Sequence, residues 1–173
     1  MEQKNGYKDF MVHLLFAVYI YGLFKVILFK FRAVDPSWLW QHLKLSLSSP
    51  LYIVQGLQDG NLTPFKEISR TLHVLTNHDL INLFGNIAIF IPFGIFIGVM
   101  FNNKSLSFTG AFACSFALSL CLESAQIVFA IGSFDVDDLI LNSGGGLIGF
   151  AAVHFVKWMG RTPSIVQASD RPI

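Results

Sequence analysis

Three long stretches of the chain carry no formal charge. No Asp, Glu, Lys or Arg occurs from Leu80 to Asn103, from Ser105 to Leu122 or from Leu139 to Val156. A helix on the surface of a soluble core shows a polar stripe at a period of 3.6 residues, and none of these stretches has a continuous one. Crossing the hydrocarbon layer takes about 20 residues of helix. The pattern therefore predicts membrane spans over about 80–101, 106–131 and 138–158. A fourth apolar stretch runs from Phe10 to Phe31, preceded by Lys4 and Lys8. It is too long for the apolar region of a signal peptide and lacks a small-x-small cleavage pattern, so it reads as the first span. Lys25 and Lys30 lie near its end, where lysine heads can snorkel to the interface; the alternative is that the helix ends near Lys25.

The segment between the first and second spans, 32–79, is mixed. Asp35-Pro36 is a helix start, an Asp cap followed by Pro in the first turn. Trp38 and Trp40 follow, and tryptophan favours the membrane–water boundary. A helix lying on the surface is expected over 36–47. Gly56, Asp59-Gly60 and Thr63-Pro64 then read as loop. Pro92 falls inside the second span and should kink it, which membrane helices tolerate when neighbours satisfy the freed carbonyl. The fold class is thus an all-α integral membrane protein, four transmembrane helices plus an interfacial helix between the first and second, in a single domain over 1–173.

Composition sharpens this picture. The chain has 173 residues, 53% apolar but only 13% charged, about half the usual ~25% charged. A net charge of +1 gives no basic footprint for nucleic acid. Cys114 and Cys121 stand two turns apart, ~10 Å along a helix and beyond disulfide reach, and read as buried thiols. His13, His73, His78 and His154 show no metal-ligand spacing, and no cofactor or metal is expected. Gly94-x-x-x-Gly98 and Gly145-x-x-x-Gly149 let helix backbones approach. Gly144-Gly145-Gly146 lacks the context of a phosphate loop.

Charge placement orients the chain. The 132–137 loop holds no Lys or Arg, whereas the tail from 160 is polar and basic, with Lys157, Arg161 and Arg171 nearby, and the 102–105 turn carries Lys104. The positive-inside rule puts the tail, the turn and both termini in the cytoplasm and 32–79 outside. Arg32, Lys44, Lys66 and Arg70 run against that rule.

With this topology, polar residues from three spans meet near the outer face. Asn82 and Asn86 share one face of the second span, Glu123 and Gln126 one face of the third, and Asp138 and Asn142 one face of the fourth. Asp135 and Asp137 lie just before the fourth. Glu123 sits ~12 Å below Ile131 by helix rise. A charge at mid-membrane costs roughly 2.5–3.5 kcal/mol and usually marks function. Singly, each residue has a structural explanation: Asn and Gln join membrane helices at about 0.6 kcal/mol each, and Asp137 or Asp138 suits a helix N-cap. As a set, with Glu123 at its centre, they read as a polar pocket.

At these residues the chain resembles the VanZ-like family of bacterial membrane proteins. NLTPFKEI (61–68), NLFGNIAIFIPFGIFIG (82–98), and ESAQ followed by SFDVDDLILNSGGGLIG (123–149) are similar to the family's three blocks in order and spacing, over about half the chain. Members place an arginine between the Gln and the acidic run; Gly132 stands there in this chain. Lys66 or Arg70, beside the Pro-Phe block, are candidate replacement charge partners. The resemblance implies a bacterial cell-membrane protein linked to glycopeptide antibiotic resistance, notably to teicoplanin, within a broader cell-envelope role.

Three functions follow as expectations. The first is an envelope protein whose outward pocket binds a lipid-linked envelope precursor or a glycopeptide. The second is an intramembrane enzyme on lipid-linked substrates with Glu123 or Asp137 as base; Ser124 and Ser133 have no adjacent His. The third is a small proton- or cation-coupled transporter subunit, disfavoured by four spans without an inverted repeat. A purely structural bundle is the remaining alternative.

Overall fold

The computed structural model describes residues 2–29, 35–101 and 106–160. Within them the chain forms seven helices: α1 Glu2–Phe29, α2 Pro36–Ser48, α3 Leu51–Gln58, α4 Lys66–Val74, α5 Asn77–Met100, α6 Phe108–Val128 and α7 Val136–Met159. Four are long and apolar enough to cross a membrane: Gly6–Phe29, Asn77–Met100, Phe108–Val128 and Val136–Met159. A 24-residue helix is ~36 Å long at 1.5 Å per residue, enough for a hydrocarbon layer of ~30 Å with some tilt. Large side chains such as Phe10, Phe84, Phe112 and Phe155 point outward on these helices. Such a surface is unsuited to water and suited to lipid.

The four expected spans are present, with shifted ends. The first helix continues through Lys25 to Phe29; Lys30 and Arg32 lie outside the described residues, as do Lys104, Arg161 and Arg171. Helix α2 starts as expected, with the Asp35 carboxylate accepting from the Ser37 and Trp38 N–H groups. The Ser37 hydroxyl, then the Trp38 and Ser37 N–H groups, hold that carboxyl below its ordinary pKa. The rest of the 32–79 segment is more helical than its glycines suggest. Gly56 lies inside α3, packed against Ile127, because α3 buries one face on the end of α6. Asp59-Gly60 and Thr63-Pro64 remain outside helices.

The core lies where α1, α5, α6 and α7 meet, around Leu23, Phe90, Phe93, Leu122 and Phe150. Helices α5 and α7 pack most closely. A Cβ built on Gly94 would lie 1.9 Å from the Gly146 carbonyl oxygen, one on Gly145 2.1 Å from that of Ile87, and one on Gly149 2.0 Å from that of Ile91. Only glycine permits this approach, as the two small-xxx-small patterns predicted. Pro92 sits within the unbroken α5. Both cysteines are free and exposed on α6, correcting the expectation of burial: the inner face of α6 is occupied by Ala111, Ser115, Ser119 and Glu123, and Cys114 and Cys121 lie off it. At the far end of the bundle the Lys157 ammonium donates to the Gly98 carbonyl, 2.9 Å away, closing the C-terminal turn of α5.

Candidate functional site

The start of α7 anchors the site. Asp135 is its N-cap and accepts from the Asp137 N–H, so neither Asp137 nor Asp138 is the cap. The 59–61 turn runs alongside. The Asn61 N–H donates to the Phe134 carbonyl at 2.7 Å, and the Val136 N–H donates to the Asn61 carbonyl at 2.9 Å. Asn61 Nδ2 donates to Asp135 Oδ1 at 2.9 Å, and Asn61 Oδ1 accepts from the Thr63 N–H. A Cβ on Gly60 would lie 2.3 Å from the Phe134 carbonyl oxygen, so glycine is required for the two segments to touch.

Asp137 is 1% exposed. Its carboxylate accepts from the N–H groups of Phe65 (2.5 Å), Glu67 (2.8 Å) and Ile68 (3.1 Å). These are donors that the first turn of α4 cannot satisfy internally, and a negative charge there also complements the helix dipole. Phe65 is the residue before α4 and has φ +65°, a region that side chains disfavour. The bond to Asp137 holds it there. Asp137 thus docks α4 onto α7.

Glu123 is 2% exposed, and its Oε2 accepts from the Asp135 N–H at 3.0 Å. It points into the protein rather than into lipid. On the same face of α6, one turn further from the end, Ser119 accepts from Asn142 Nδ2 at 2.9 Å. Asn142 Oδ1 is buried without a hydrogen-bond partner among the described residues. Gln126 reaches the other way and donates to the Ile27 carbonyl of α1 at 3.2 Å.

Beside these groups lies a cavity of about 740 Å³, within the range of small-molecule sites. Of the expected residues, Asn82, Asn86, Gln126, Asp135, Asp137 and Asp138 line it. Asn86 Nδ2 donates to Asp138 Oδ1 across the α5–α7 contact. Glu123 and Asn142 do not line the cavity; they are packed behind it. Of the two candidate charge partners, Arg70 lines the cavity and Lys66 is exposed outside it. Arg70 pairs with Glu67 at 2.7 Å and lies 3.8 Å from Asp79. Gly132 also lines the cavity, with Gln126 Oε1 2.8 Å from where its Cβ would be.

Sequence reading missed several of these groups. His78, set aside as incidental, lines the cavity together with Glu67 and Asp79. Asn61 was visible as Asn-x-Thr, a pattern that favours a side-chain turn. Ser115, Ser119 and Glu123 recur every four residues on α6, spacing that places them on one face. Among the described residues, no group of three or more His, Cys, Asp or Glu is arranged to hold a metal ion.

The family model VanZ/LLP1 matches residues 16–157. Protein VanZ of Enterococcus faecium is 38% identical over 89 residues, covering 51% of this chain and 48% of that protein. The chain therefore aligns with about half the length of this curated relative. No solved structure matches. The matched region takes in the second and third spans whole, most of the first and fourth, and every residue of the cavity, and the chain belongs to the VanZ/LLP1 family.

Proposed function

We propose that this multi-pass membrane protein works in the bacterial cytoplasmic membrane, with its cavity facing outward. There it holds an envelope lipid or glycan-type ligand and so alters the access of glycopeptides such as teicoplanin. Both termini lie on the cytoplasmic side, and the region joining the first two spans lies outside. The single domain covers the whole chain. The observation that carries this reading is the convergence of six polar residues, from α5, α6 and the start of α7, on one cavity. Polar side chains at the ends of apolar helices are costly unless they bond one another or a ligand. The link to glycopeptides rests on the family and on the relative named Protein VanZ.

The test is teicoplanin susceptibility of cells carrying the wild-type chain, Asn86→Leu or Asp138→Asn at matched membrane levels. Loss of protection of at least fourfold, on the order of 1 kcal/mol, is expected for either cavity variant. Wild-type protection in both would remove the cavity from the mechanism.

A further inference from the structure

The cavity follows one stripe of α5. His78, Ile81, Asn82, Gly85, Asn86 and Ile89 all line it, at the three- and four-residue intervals that keep side chains on one helix face. From His78 to Ile89 the stripe descends ~16 Å at 1.5 Å per residue. That is about one leaflet of a hydrocarbon layer of ~30 Å. Val26 and Ile27 of α1 contribute a second, apolar wall.

The upper part of the stripe faces out of the bundle. His78, Ile81, Asn82 and Gly85 are exposed, Ile81 at 70%, whereas Asn86 and Ile89 are half-buried. Depth decides what surrounds them. Ile81 and Gly85 lie about 6 and 12 Å along α5 from its first residue, by helix rise. A helix of ~36 Å overhangs a ~30 Å layer by about 3 Å at each end, so Gly85 lies within the hydrocarbon. Phe84 beside it points into lipid. The cleft between α1 and α5 thus continues the lipid-facing surface of the bundle. One turn deeper it is closed. The Tyr19 hydroxyl donates to the Ile89 carbonyl at 2.6 Å. The ring of Phe16 lies 6.1 Å from that of Phe93 and 5.4 Å from that of Phe96, and the ring of Tyr19 lies 5.5 Å from that of Phe96.

Resting on the reading of this cavity as a ligand site, we propose that its ligand is a lipid of the outer leaflet, which enters sideways between α1 and α5. The upper part of one hydrocarbon chain lies along Val26, Ile27, Gly85 and Ile89, above the Tyr19 closure, and the head group lies beside His78 and Asn82. The volume of about 740 Å³ accommodates a head group and part of one chain, and the sideways mouth lets the rest of the lipid stay in the bilayer. A glycan arriving from water fits this lining poorly, because hydroxyls set against the apolar wall lose hydrogen bonds to water without replacement. A lipid chain suffers no such loss. It gains little either, since bilayer and wall are equally apolar, so discrimination among lipids rests with the head group.

The experiment uses the full chain in phosphatidylcholine nanodiscs that contain a small fraction of phosphatidylglycerol with a diazirine midway along one chain. In a parallel arm, glycerophosphoglycerol bearing the same diazirine, without chains, is added from water. After illumination, the labelled residues are mapped by mass spectrometry. The lipid probe is expected to label Ile27 and Ile89, both half-buried, at least as strongly as Phe116 and Leu120, which are exposed on α6 and do not line the cavity. Gly85→Trp and Val26→Trp fill the cleft from either helix. Each should lower labelling of Ile27 and Ile89 by roughly fivefold while Phe116 and Leu120 keep theirs, which also reports that the variant is folded and embedded. Labelling of Ile27 and Ile89 that persists undiminished in both variants overturns entry between α1 and α5. Labelling by the chainless probe that equals or exceeds that by the lipid overturns the lipid ligand and leaves the cavity as a site. Labelling of the cavity by neither probe overturns both.

Discussion

Asp137 shows how a carboxylate in a membrane protein can be structural. It is almost wholly buried, yet every acceptor contact it makes is to a backbone N–H at the start of α4. In Asp137→Asn, an amide with one oxygen and one NH2 faces three donors, so at least one is left unsatisfied. Hydrogen bonds to charged groups are worth about 1.5–3 kcal/mol, and a loss of about 2–3 kcal/mol is expected in thermal unfolding of the detergent-solubilised protein. A loss near zero would mean that the apolar face of α4 is what holds it. At this scale the sequence was a partial guide. It placed these carboxylates and amides on shared helix faces, because helical spacing fixes which residues lie together. It did not separate those that line the cavity from Glu123 and Asn142 behind it. That separation depends on how far each helix is rotated about its axis, which a single chain's spacing does not specify. It also left Asn61 unranked, because that residue's partner is 74 positions away.

Among the elements, the contact of α5 with α7 is the most tightly specified. Gly94→Ala places a methyl group 1.9 Å from a carbonyl oxygen of the facing helix. The helices must separate, at a cost of about 1–3 kcal/mol or more. Gly144 is the control: nothing lies within 4 Å of its built Cβ, and Ala there is expected to be neutral or to stabilise by up to about 1 kcal/mol through helix propensity. Thermal unfolding of the two variants side by side checks the pair; similar effects would mean that the close approach contributes nothing. The four long helices were legible because charge-free runs of that length have few alternatives. Helices α3 and α4 were not. Their 8 and 9 residues are too short to be stable alone, and they form because α6, α5 and α7 give them a surface.

For the whole molecule, the cavity, the 59–68 segment and the 132–138 turn all belong to one end of the bundle. The proposed orientation predicts that single cysteines at Asp59 and Ser133, both exposed, react with a membrane-impermeant maleimide in intact cells. The background should have Cys114 and Cys121 replaced by Ala. Labelling only after the membrane is broken open would invert the topology and take the cavity away from the envelope. Asp59 is a better reporter than Gly60, whose neighbours leave no room for a side chain.

The ammonium of Lys157 on the Gly98 carbonyl, at the end of the bundle opposite the carboxylates, gives the protein an electrical axis. A resting voltage acts on each elementary charge with about 2.3 kcal/mol per 100 mV across its full drop. An interior-negative cell therefore pulls the lysine end inward and pushes the acidic end outward. In the proposed orientation, the voltage that energised cells maintain favours the same posture as the charge bias of the loops, and it would oppose an inverted copy for as long as the membrane stays polarised.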